Sequence, residues 1–307
     1  AFVGRTVFVT GGSRGIGLAI ALRLAKSGAN VAIAAKTADP HPKLPGTIYS
    51  AAAAIQAVGA RALPLQVDCR NDSDVEAALA ETAKEFGGID ILINNASAID
   101  NKDSESLTPK SFDLMQTVNT RATFMSSRAA LPYLQKSPNG HILTLSPPIT
   151  LDPDWFRLCG TGYTLSKYGM SMCVMGHAAE FGQHGVAVNA LWPKTTIATA
   201  AVEKIAGSAG LAACRTPEIM ADAAHWILQQ NSKTCTGKFY IDEEALKEAG
   251  ETDFSKQEAG VYLLTIDRYR VQKGVPLMPD LYVGEPAAVE RWLKLGGLLS
   301  SAKKLFK

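Results

Sequence analysis

Short apolar runs alternate with longer segments of helical period along most of the chain. The apolar runs, which we predict as strands, are TVFVT, NVAIAAK, RALPLQVD, IDILINN, HILTLS, VAVNALW and KFYID. Segments of helical period stand between them, including AIALRLAKSG, IYSAAAAIQAVG and residues 72–86, 109–134, 161–181 and 217–228. Strands joined through helices need crossover connections, which produce a parallel sheet covered on both faces. The pattern therefore predicts an α/β protein with a doubly wound parallel sheet.

The alternation covers residues 1–245, which we interpret as one domain. Residues 246–307 have a different texture, and we predict a C-terminal extension there. The last part of this extension places apolar side chains at helical spacing, which favours packing on the body over binding a partner. These side chains are Val289, Trp292, Leu293 and Leu295.

Composition and charge exclude several classes of partner. The chain has 31 basic and 29 acidic residues among 307, so it lacks the basic excess of a protein that binds nucleic acid or an anionic membrane surface. No apolar run approaches the ~18 residues of a membrane helix. Cysteines and histidines are scattered without the spacing of metal ligands, and we predict no metal site.

The turn TGGSRGIG, residues 10–17, separates the first predicted strand from the first predicted helix. A helix N-terminus presents unpaired N–H groups and a partial positive charge, so it holds a phosphate if the backbone comes close enough. Gly11 permits the tight turn, Gly15 lets a diphosphate lie against the backbone, and Gly17 lets the helix pack closely on the sheet. Gly12 is expected only to add flexibility. The turn therefore predicts a dinucleotide site.

Three further features follow the glycine turn in a characteristic order, namely NNAS at residues 94–97, Asn119, and YTLSK at residues 163–167. With the G-x-x-x-G-x-G spacing, they resemble the short-chain dehydrogenase/reductase family over about the first 245 residues. The resemblance implies a Rossmann sheet, a nicotinamide coenzyme and an oxidoreductase activity. It also implies that the coenzyme contacts the rest of the turn, including Ser13, Arg14 and Ile16.

The end of the second strand indicates which coenzyme is used. An NAD-selecting protein is expected to place an acidic side chain there for the ribose 2′-hydroxyl, but this chain has Lys36. Lys36 and Arg14 bring two positive charges to a 2′-phosphate, so we predict NADP(H). By the resemblance, Asp68 receives the adenine, and Asn95 with Ala96 lines the adenine ribose.

Hydride transfer to a ketone leaves an alkoxide that needs a proton, and Tyr163 is the predicted acid. Lys167 lies four residues later on the same helical face, where its charge is expected to lower the pKa of the phenol. The resemblance gives Lys167 a second role at the nicotinamide ribose. It also assigns to Asn119 a water that feeds protons to Lys167.

The loop after the fifth strand departs from the family pattern. In TLSPP, Pro147 stands where the second serine of a pair usually orients the substrate, which leaves Ser146 as the candidate. We predict that Ser146 reaches the carbonyl oxygen as a hydrogen-bond donor.

Two more departures lie on the coenzyme side. Ser97 replaces the glycine of NNAG, and Pro193 is followed by Lys194 in place of a glycine. Pro193 and Thr196 remain predicted coenzyme contacts, because Thr196 stands where the family uses a backbone N–H to hold the nicotinamide carboxamide.

Four apolar residues are expected near the carboxyl ends of the strands, where open α/β sheets bind ligands. They are Trp155, Phe156, Met170 and Trp192. Core packing would also explain them. As a pocket, they predict a carbonyl or secondary alcohol on a fatty-acyl or steroid-like molecule. Two alternative functions stay open, an NADPH-dependent enoyl reductase and a dinucleotide-binding scaffold without turnover.

Small residues on the helices at 109–134 and 161–181 allow close packing between helices. They are Ala122, Ser126, Ala129, Gly169, Ser171 and Gly176. By the resemblance such helices join copies of the chain, so we expect a homo-oligomer, either a dimer or a tetramer. The scattered cysteines indicate a soluble reducing compartment. The cytoplasm is the default, and the resemblance is also consistent with peroxisomes or mitochondria.

Overall fold

The computed structural model of the protein describes residues 2–42, 44–203, 211 and 214–254. Within them the strands are β1 (Thr6–Thr10), β2 (Asn30–Ala35), β3 (Ala62–Gln66), β4 (Ile91–Asn94), β5 (His141–Thr144), β6 (Ala187–Trp192) and β7 (Phe239–Ile241). They form a seven-stranded sheet in the order β3-β2-β1-β4-β5-β6-β7, and every neighbouring pair is parallel. The predicted doubly wound sheet is confirmed, and the strand order reverses between β1 and β4.

The helices described by the structure are α1 (Gly15–Ala25), α2 (Ile48–Ala57), α3 (Asp72–Phe86), α4 (Pro109–Met115), α5 (Ala122–Leu134), α6 (Pro153–Cys159), α7 (Thr161–Phe181), α8 (Glu218–Ile227) and α9 (Asp242–Glu248). A π-helical turn at Gln116–Arg121 connects α4 to α5. The helix predicted over residues 109–134 therefore continues through a widened turn. Such turns are frequent at functional sites, and this one carries Asn119.

Side chains on successive strand positions enter two separate cores, because they alternate between the faces of the sheet. Val7 and Val9 of β1 pack with α1, α2 and α8, whereas Phe8 packs with α3, α5 and α7. Ile93 and Leu92 of β4 divide in the same way. Burial of both faces accounts for strands that read as continuous apolar runs, and it leaves the strand ends to carry polar chemistry.

The predicted boundary at residue 245 falls inside α9. Ala245 and Leu246 of this helix are buried, and both belong to the core that α1 and α8 cover. The packed body thus includes the beginning of the predicted extension. Residues 255–307, which include the apolar stripe at Val289, lie outside the described residues.

Apolar side chains remain exposed on α5 and α7, the helices that the sequence predicts as an interface between copies. They are Phe124, Leu165, Met172 and Met175. The homo-oligomer stays a prediction. Among the helices of the described part, none combines the length and the hydropathy that a bilayer crossing requires.

His141 at the start of β5 makes the free energy of unfolding depend on pH. Burial, helped by the nearby charge of Arg5, lowers the pKa of the His141 ring to about 4, against 6.5 for an ordinary histidine. Between these two pH values the unfolded chain binds more protons than the folded protein. We therefore expect the free energy of unfolding to fall by up to roughly 3 kcal/mol from this group as the pH drops through that window.

Urea unfolding at a series of pH values tests this expectation. His141→Gln should flatten part of the acid-side decline, whereas His184→Gln, at an exposed position, should leave it unchanged. An equally steep decline in the His141 variant would contradict the assignment.

Candidate active site

Hydrogen bonds hold the carboxyl ends of β1 and β4 together where the strand order reverses. The Thr10 hydroxyl donates to the Ile93 carbonyl (3.1 Å) and accepts from the backbone N–H groups of Asn95 (3.0 Å) and Ala96 (3.1 Å). The side-chain amide of Asn95 donates to the carbonyls of Thr10 (3.0 Å) and Gly11 (3.1 Å). The amide that we predicted beside the adenine ribose therefore holds the turn, and its ribose contact stays a prediction. Sequence reasoning missed Thr10.

Two glycines of the turn are required by geometry. Gly11 has a φ of 67°, a backbone conformation that other residues rarely adopt. At Gly17 a Cβ would lie 2.4 Å from Asn95 Nδ2 and 2.7 Å from the Gly11 carbonyl oxygen. The close approach predicted for Gly17 is present, but it is made to the turn and to Asn95 and not to the sheet.

The expectation that Gly12 only adds flexibility is wrong. A Cβ at this position would lie 3.2 Å from the side chains of both Val9 and Ile33. Gly12 therefore brings the backbone of the turn down onto the core.

Helix α1 begins at Gly15 without a side-chain cap. Arg14 occupies the N-cap position, makes no capping hydrogen bond, and no acidic residue lies in the first turn. Arg14 Nη2 instead donates to the Gly46 carbonyl (2.9 Å), and its buried Nε has no partner among the described residues. Ser13 is buried and Ile16 half-buried at this turn. Uncapped donors beside a guanidinium fit the diphosphate of a dinucleotide.

Lys36, Asp68 and Arg70 form a charged cluster that follows the ends of β2 and β3. Lys36 Nζ lies 3.6 Å from Asp68 Oδ2, and the Lys36 side chain is 65% exposed. Arg70 binds the same carboxylate through Nε (2.9 and 3.1 Å) and Nη2 (2.5 Å). Its hydrogen bonds hold the pKa of Asp68 at about 2. Arg70 was missed, although it lies two residues after Asp68, and it leaves the cluster with an excess of positive charge.

Tyr163 and Lys167 lie one turn apart on α7, and both are buried. Lys167 Nζ donates to the Leu145 carbonyl (2.6 Å) and lies 5.2 Å from the centre of the Trp192 ring. Burial lowers the pKa of Lys167 to about 7. Burial also raises the pKa of Tyr163, and the neighbouring Cys159 thiol adds to the rise. The expected lowering of the Tyr163 pKa by Lys167 is therefore wrong for this arrangement, because burial dominates.

Asn119 ties the loop after β4 to α7. Its Oδ1 accepts from the Ala98 N–H (2.7 Å), and its Nδ2 donates to the Ala98 carbonyl (2.9 Å) and to Ser166 Oγ (2.9 Å). Ser166 in turn donates to the Tyr163 carbonyl (2.7 Å). Asn119 thus positions the turn of helix that carries Tyr163. Its predicted role in holding a water is left untested.

Ser146 follows Leu145, the residue whose carbonyl Lys167 contacts. The Ser146 hydroxyl is buried and has no partner among the described residues. The next residue, Pro147, accepts a hydrogen bond from Ser171 Oγ through its carbonyl (2.6 Å), which fixes the loop after β5 against α7. A buried hydroxyl without a hydrogen-bond partner costs the fold roughly 1–3 kcal/mol of stability. Ser146 is therefore a candidate for contact with a ligand.

The segment from Pro193 to Thr196 begins directly after β6. The backbone N–H of Lys194 donates to Asp242 Oδ1 (2.9 Å), and the Thr196 carbonyl accepts from the Arg215 N–H (3.0 Å). These contacts do not use the Thr196 N–H, whose predicted bond to a carboxamide stays a prediction.

A third apolar cluster surrounds Tyr163, and Phe156 packs against it. Its buried members are Met115, Trp155, Cys159, Tyr163, Trp192 and Ile241. The rings of Trp155 and Trp192 pack edge to face with centroids 6.2 Å apart. Both indole nitrogens are buried without a partner among the described residues. The cluster therefore combines apolar side chains with hydrogen-bond donors that are not used within the described residues.

The fold and the site together define a class. An uncapped glycine turn lies at the switch point of a parallel sheet, and a buried Tyr–Lys pair lies on α7, a combination typical of dinucleotide-dependent α/β oxidoreductases. Within residues 2–254 as far as they are described, no group of three His, Cys, Asp or Glu side chains could hold a metal ion.

Comparison with known proteins agrees with this class. The family model described as short chain dehydrogenase matches residues 5–209. Hydroxysteroid dehydrogenase-like protein 2 from Danio rerio is 50% identical over 295 residues, which are 96% of this chain and 68% of that protein. The human protein of the same name is 50% identical over 302 residues, 98% of this chain and 69% of its own length. The chain therefore spans about two thirds of these relatives.

Solved structures show the same similarity. A short chain dehydrogenase from Mycobacterium thermoresistibile is 48% identical with a TM-score of 0.80, covering 86% of this chain and 96% of its own. One from Burkholderia cenocepacia, in complex with NADP, is 27% identical with a TM-score of 0.64, and the match covers 78% of this chain and 96% of that chain. Carveol dehydrogenase from Mycobacterium avium, in complex with NAD, is 19% identical and shares the fold, with a TM-score of 0.67. The match covers 78% of this chain and 96% of that chain.

The chain belongs to the short-chain dehydrogenase family, whose members are oxidoreductases that bind a nicotinamide dinucleotide.

Gly17→Ala tests the close packing of the turn. The added Cβ would meet Asn95 and the Gly11 carbonyl at distances that force the turn away from β4. We expect thermal unfolding at a lower temperature and a loss of coenzyme binding, measured by titration with NADPH and NADH. Gly182→Ala is the control, because this exposed glycine has an ordinary φ of −55° and open space around its Cβ. Retained coenzyme affinity in the Gly17 variant would contradict the packing argument.

Proposed function

We propose that the protein is an NADP(H)-dependent oxidoreductase that interconverts a carbonyl and a secondary alcohol on a fatty-acyl or steroid-like substrate. The observation that carries this proposal is the burial of Tyr163 and Lys167 one helical turn apart, with Tyr163 inside an apolar cluster and Lys167 bound to the carbonyl that follows β5. Buried ionisable groups in a ligand-binding region are typical of catalytic sites.

Tyr163 is the proposed general acid. The coenzyme, when bound, supplies the hydride to the carbonyl carbon, and the Tyr163 hydroxyl gives its proton to the substrate oxygen. The phenol is protonated at neutral pH, the form that gives a proton in the reducing direction, although burial raises its pKa and so makes it a weaker acid. In the oxidising direction it must first release that proton, which the raised pKa opposes.

Lys167 is proposed to assist Tyr163. With a pKa of about 7, its amine takes up and releases a proton near neutral pH. A protonated Lys167 would favour the phenolate as the proton leaves Tyr163, an effect that acts against the rise that burial causes in the pKa of Tyr163. The contact of Lys167 with the nicotinamide ribose, implied by the family, belongs to the same proposal.

Ser146 is proposed to orient the substrate. Its buried hydroxyl lacks a partner among the described residues, and it stands next to the carbonyl that Lys167 binds. A donor aimed at the substrate oxygen would stabilise the negative charge that develops there during reduction.

An apolar substrate is supported by the cluster around Tyr163. Trp155, Trp192 and Met115 line it with indole rings and a thioether, and none of its members carries a charge. The names of the hydroxysteroid dehydrogenase-like relatives are consistent with a lipid that carries an oxygen function. Apolar walls with a few polar donors suit such a molecule.

The preference for NADP(H) is supported by charge. Arg14 and the exposed Lys36 supply cations next to the turn and at the end of β2, and Arg70 neutralises Asp68. A 2′-phosphate pairs with these cations, whereas a ribose hydroxyl gains little from them.

Tyr163→Phe removes the proposed acid with little change in shape. We expect kcat for a steroid or fatty-acyl ketone to fall roughly 10²- to 10⁴-fold, the usual contribution of general acid catalysis. Coenzyme affinity should change far less. The measurement is the nicotinamide absorbance during turnover, and Tyr133→Phe on α5 is the control.

The same assay separates the alternatives. Turnover of an enoyl substrate but no ketone would favour an enoyl reductase. No turnover with any substrate, together with tight coenzyme binding, would favour the scaffold without catalysis. Full activity in the Tyr163 variant would refute its role as the acid.

Lys36→Ala tests the coenzyme preference. The lost charge should weaken NADPH binding about tenfold, as expected when a charge-assisted hydrogen bond is removed, and should leave NADH binding nearly unchanged. Fluorescence titration measures both dissociation constants. Lys26→Ala, at the exposed end of α1, is the matched control. Equal weakening of the two coenzymes, or of neither, would contradict a 2′-phosphate contact.

A further inference from the structure

Glu243, near the start of α9, is a carboxylate that three cations surround. Its Oε1 lies 3.0 Å from Lys194 Nζ and 2.5 Å from Lys247 Nζ, and its Oε2 lies 2.7 Å from Arg215 Nη2. The Glu243 side chain is only 4% exposed. Burial would raise the pKa of Glu243, but the hydrogen bonds from Lys247 and Lys194 and the charge of Arg215 hold it at about 2. The carboxylate is therefore ionised at neutral pH.

Two of the three cations, Lys194 and Arg215, belong to neighbouring backbone segments. Lys194 lies two residues before Thr196, and Arg215 pairs with the segment after Lys194. The Arg215 N–H donates to the Thr196 carbonyl (3.0 Å), and the Ala198 N–H donates to the Arg215 carbonyl (2.8 Å). Glu243 therefore binds the side chains of two segments that are also hydrogen-bonded to each other.

The backbone of the same segment is held from the same helix. Asp242, next to Glu243, accepts the Lys194 N–H at 2.9 Å and is fully buried. The Phe254 ring lies 5.5 Å from the Arg215 guanidinium and 5.9 Å from Lys247 Nζ, so it covers the cluster. Lys194 is thus fixed through its side chain and its backbone at once.

Stability alone is a weak reason for such a cluster. The desolvation of buried charges offsets most of their attraction, and apolar side chains of similar size often stabilise a fold equally well. The ion pairs instead provide a fixed geometry, because each one holds a charged side-chain atom at a defined position. The segment so fixed contains Pro193 and Thr196, the predicted contacts of the nicotinamide end.

We infer that Glu243 is a positioning residue, which holds Pro193–Thr196 in place for the nicotinamide half of the coenzyme by binding Lys194 and Arg215. This inference rests on the proposed function. Lys194, which departs from the glycine expected after Pro193, thereby acquires a role as the anchor of the segment.

Glu243→Gln tests the inference, because it removes the charge and keeps the shape. The matched control is Glu244→Gln, which changes the next residue of α9, at an exposed position. Binding is measured for NADPH and for adenosine 2′,5′-bisphosphate, which lacks the nicotinamide half. NADH and ADP form the corresponding pair if the wild type prefers NADH.

We expect Glu243→Gln to weaken the binding of the whole coenzyme about tenfold, as the loss of one charge-assisted contact predicts, and to leave the binding of the adenosine fragment unchanged. Hydrogen exchange of residues 194–198 in the ligand-free protein should rise. Glu244→Gln should match the wild type in each measurement. Equal weakening of coenzyme and fragment would overturn the inference, because a general structural defect acts on both.

If Glu243→Gln does not fold, Lys194→Met provides the second test, since Arg215 and Lys247 still neutralise Glu243. The same selective loss of coenzyme affinity is expected, and its absence would overturn the inference. A wild type that binds neither coenzyme would overturn the proposed function and the inference together. Normal coenzyme binding in the Glu243 and Lys194 variants would overturn the inference alone.

Discussion

The contact between the first turn of α1 and the Asn95 amide is the constraint on which the rest of the site depends. A side chain at Gly17 would overlap this amide, and the amide donates two hydrogen bonds to carbonyls of the turn itself. The loop that begins at Asn95 continues to Ala98, whose backbone is bound by the Asn119 side chain. Asn119 also binds the Ser166 hydroxyl, and this hydroxyl donates to the Tyr163 carbonyl. The loop from Asn95 to Ala98 and the hydrogen bonds at its two ends thus connect the glycine turn to Tyr163, the proposed acid.

The chemistry of the site follows from burial more than from pairwise charge. Spacing on a helix predicts that Lys167 stabilises the Tyr163 phenolate, but the low polarity around both groups favours the neutral form of each. A neutral phenol is an acid, and a lysine with a pKa of about 7 is a group that can change its charge during a reaction. In the proposed reaction, burial therefore keeps the phenol in the protonated form that reduction needs and opposes the phenolate that oxidation needs.

The sequence predicted the sheet well because its short apolar runs and the period-3.6 segments between them record which positions are buried. It missed α6, although Asp152 before Pro153 is a local start signal for a helix. The spacing of the motif residues led to Tyr163 and the glycine turn. It could not predict that Thr10 or Glu243 matters, because both act through partners that are distant in sequence and meet only when the sheet forms.

Two charged clusters follow the strand ends, and their surroundings give them different physical roles. Lys36 lies in solvent, where salt and water would weaken its attraction for a phosphate, so the role that we propose for it is a preference between coenzymes. Glu243 is shielded from water, so its ion pairs are screened little and fix geometry. On these proposals, the exposed cluster after β2 and β3 selects the coenzyme, and the buried cluster after β6 and β7 positions it, at two places along a single sheet. We therefore expect changes at Lys36 to alter which coenzyme binds without disturbing how its reactive end is held.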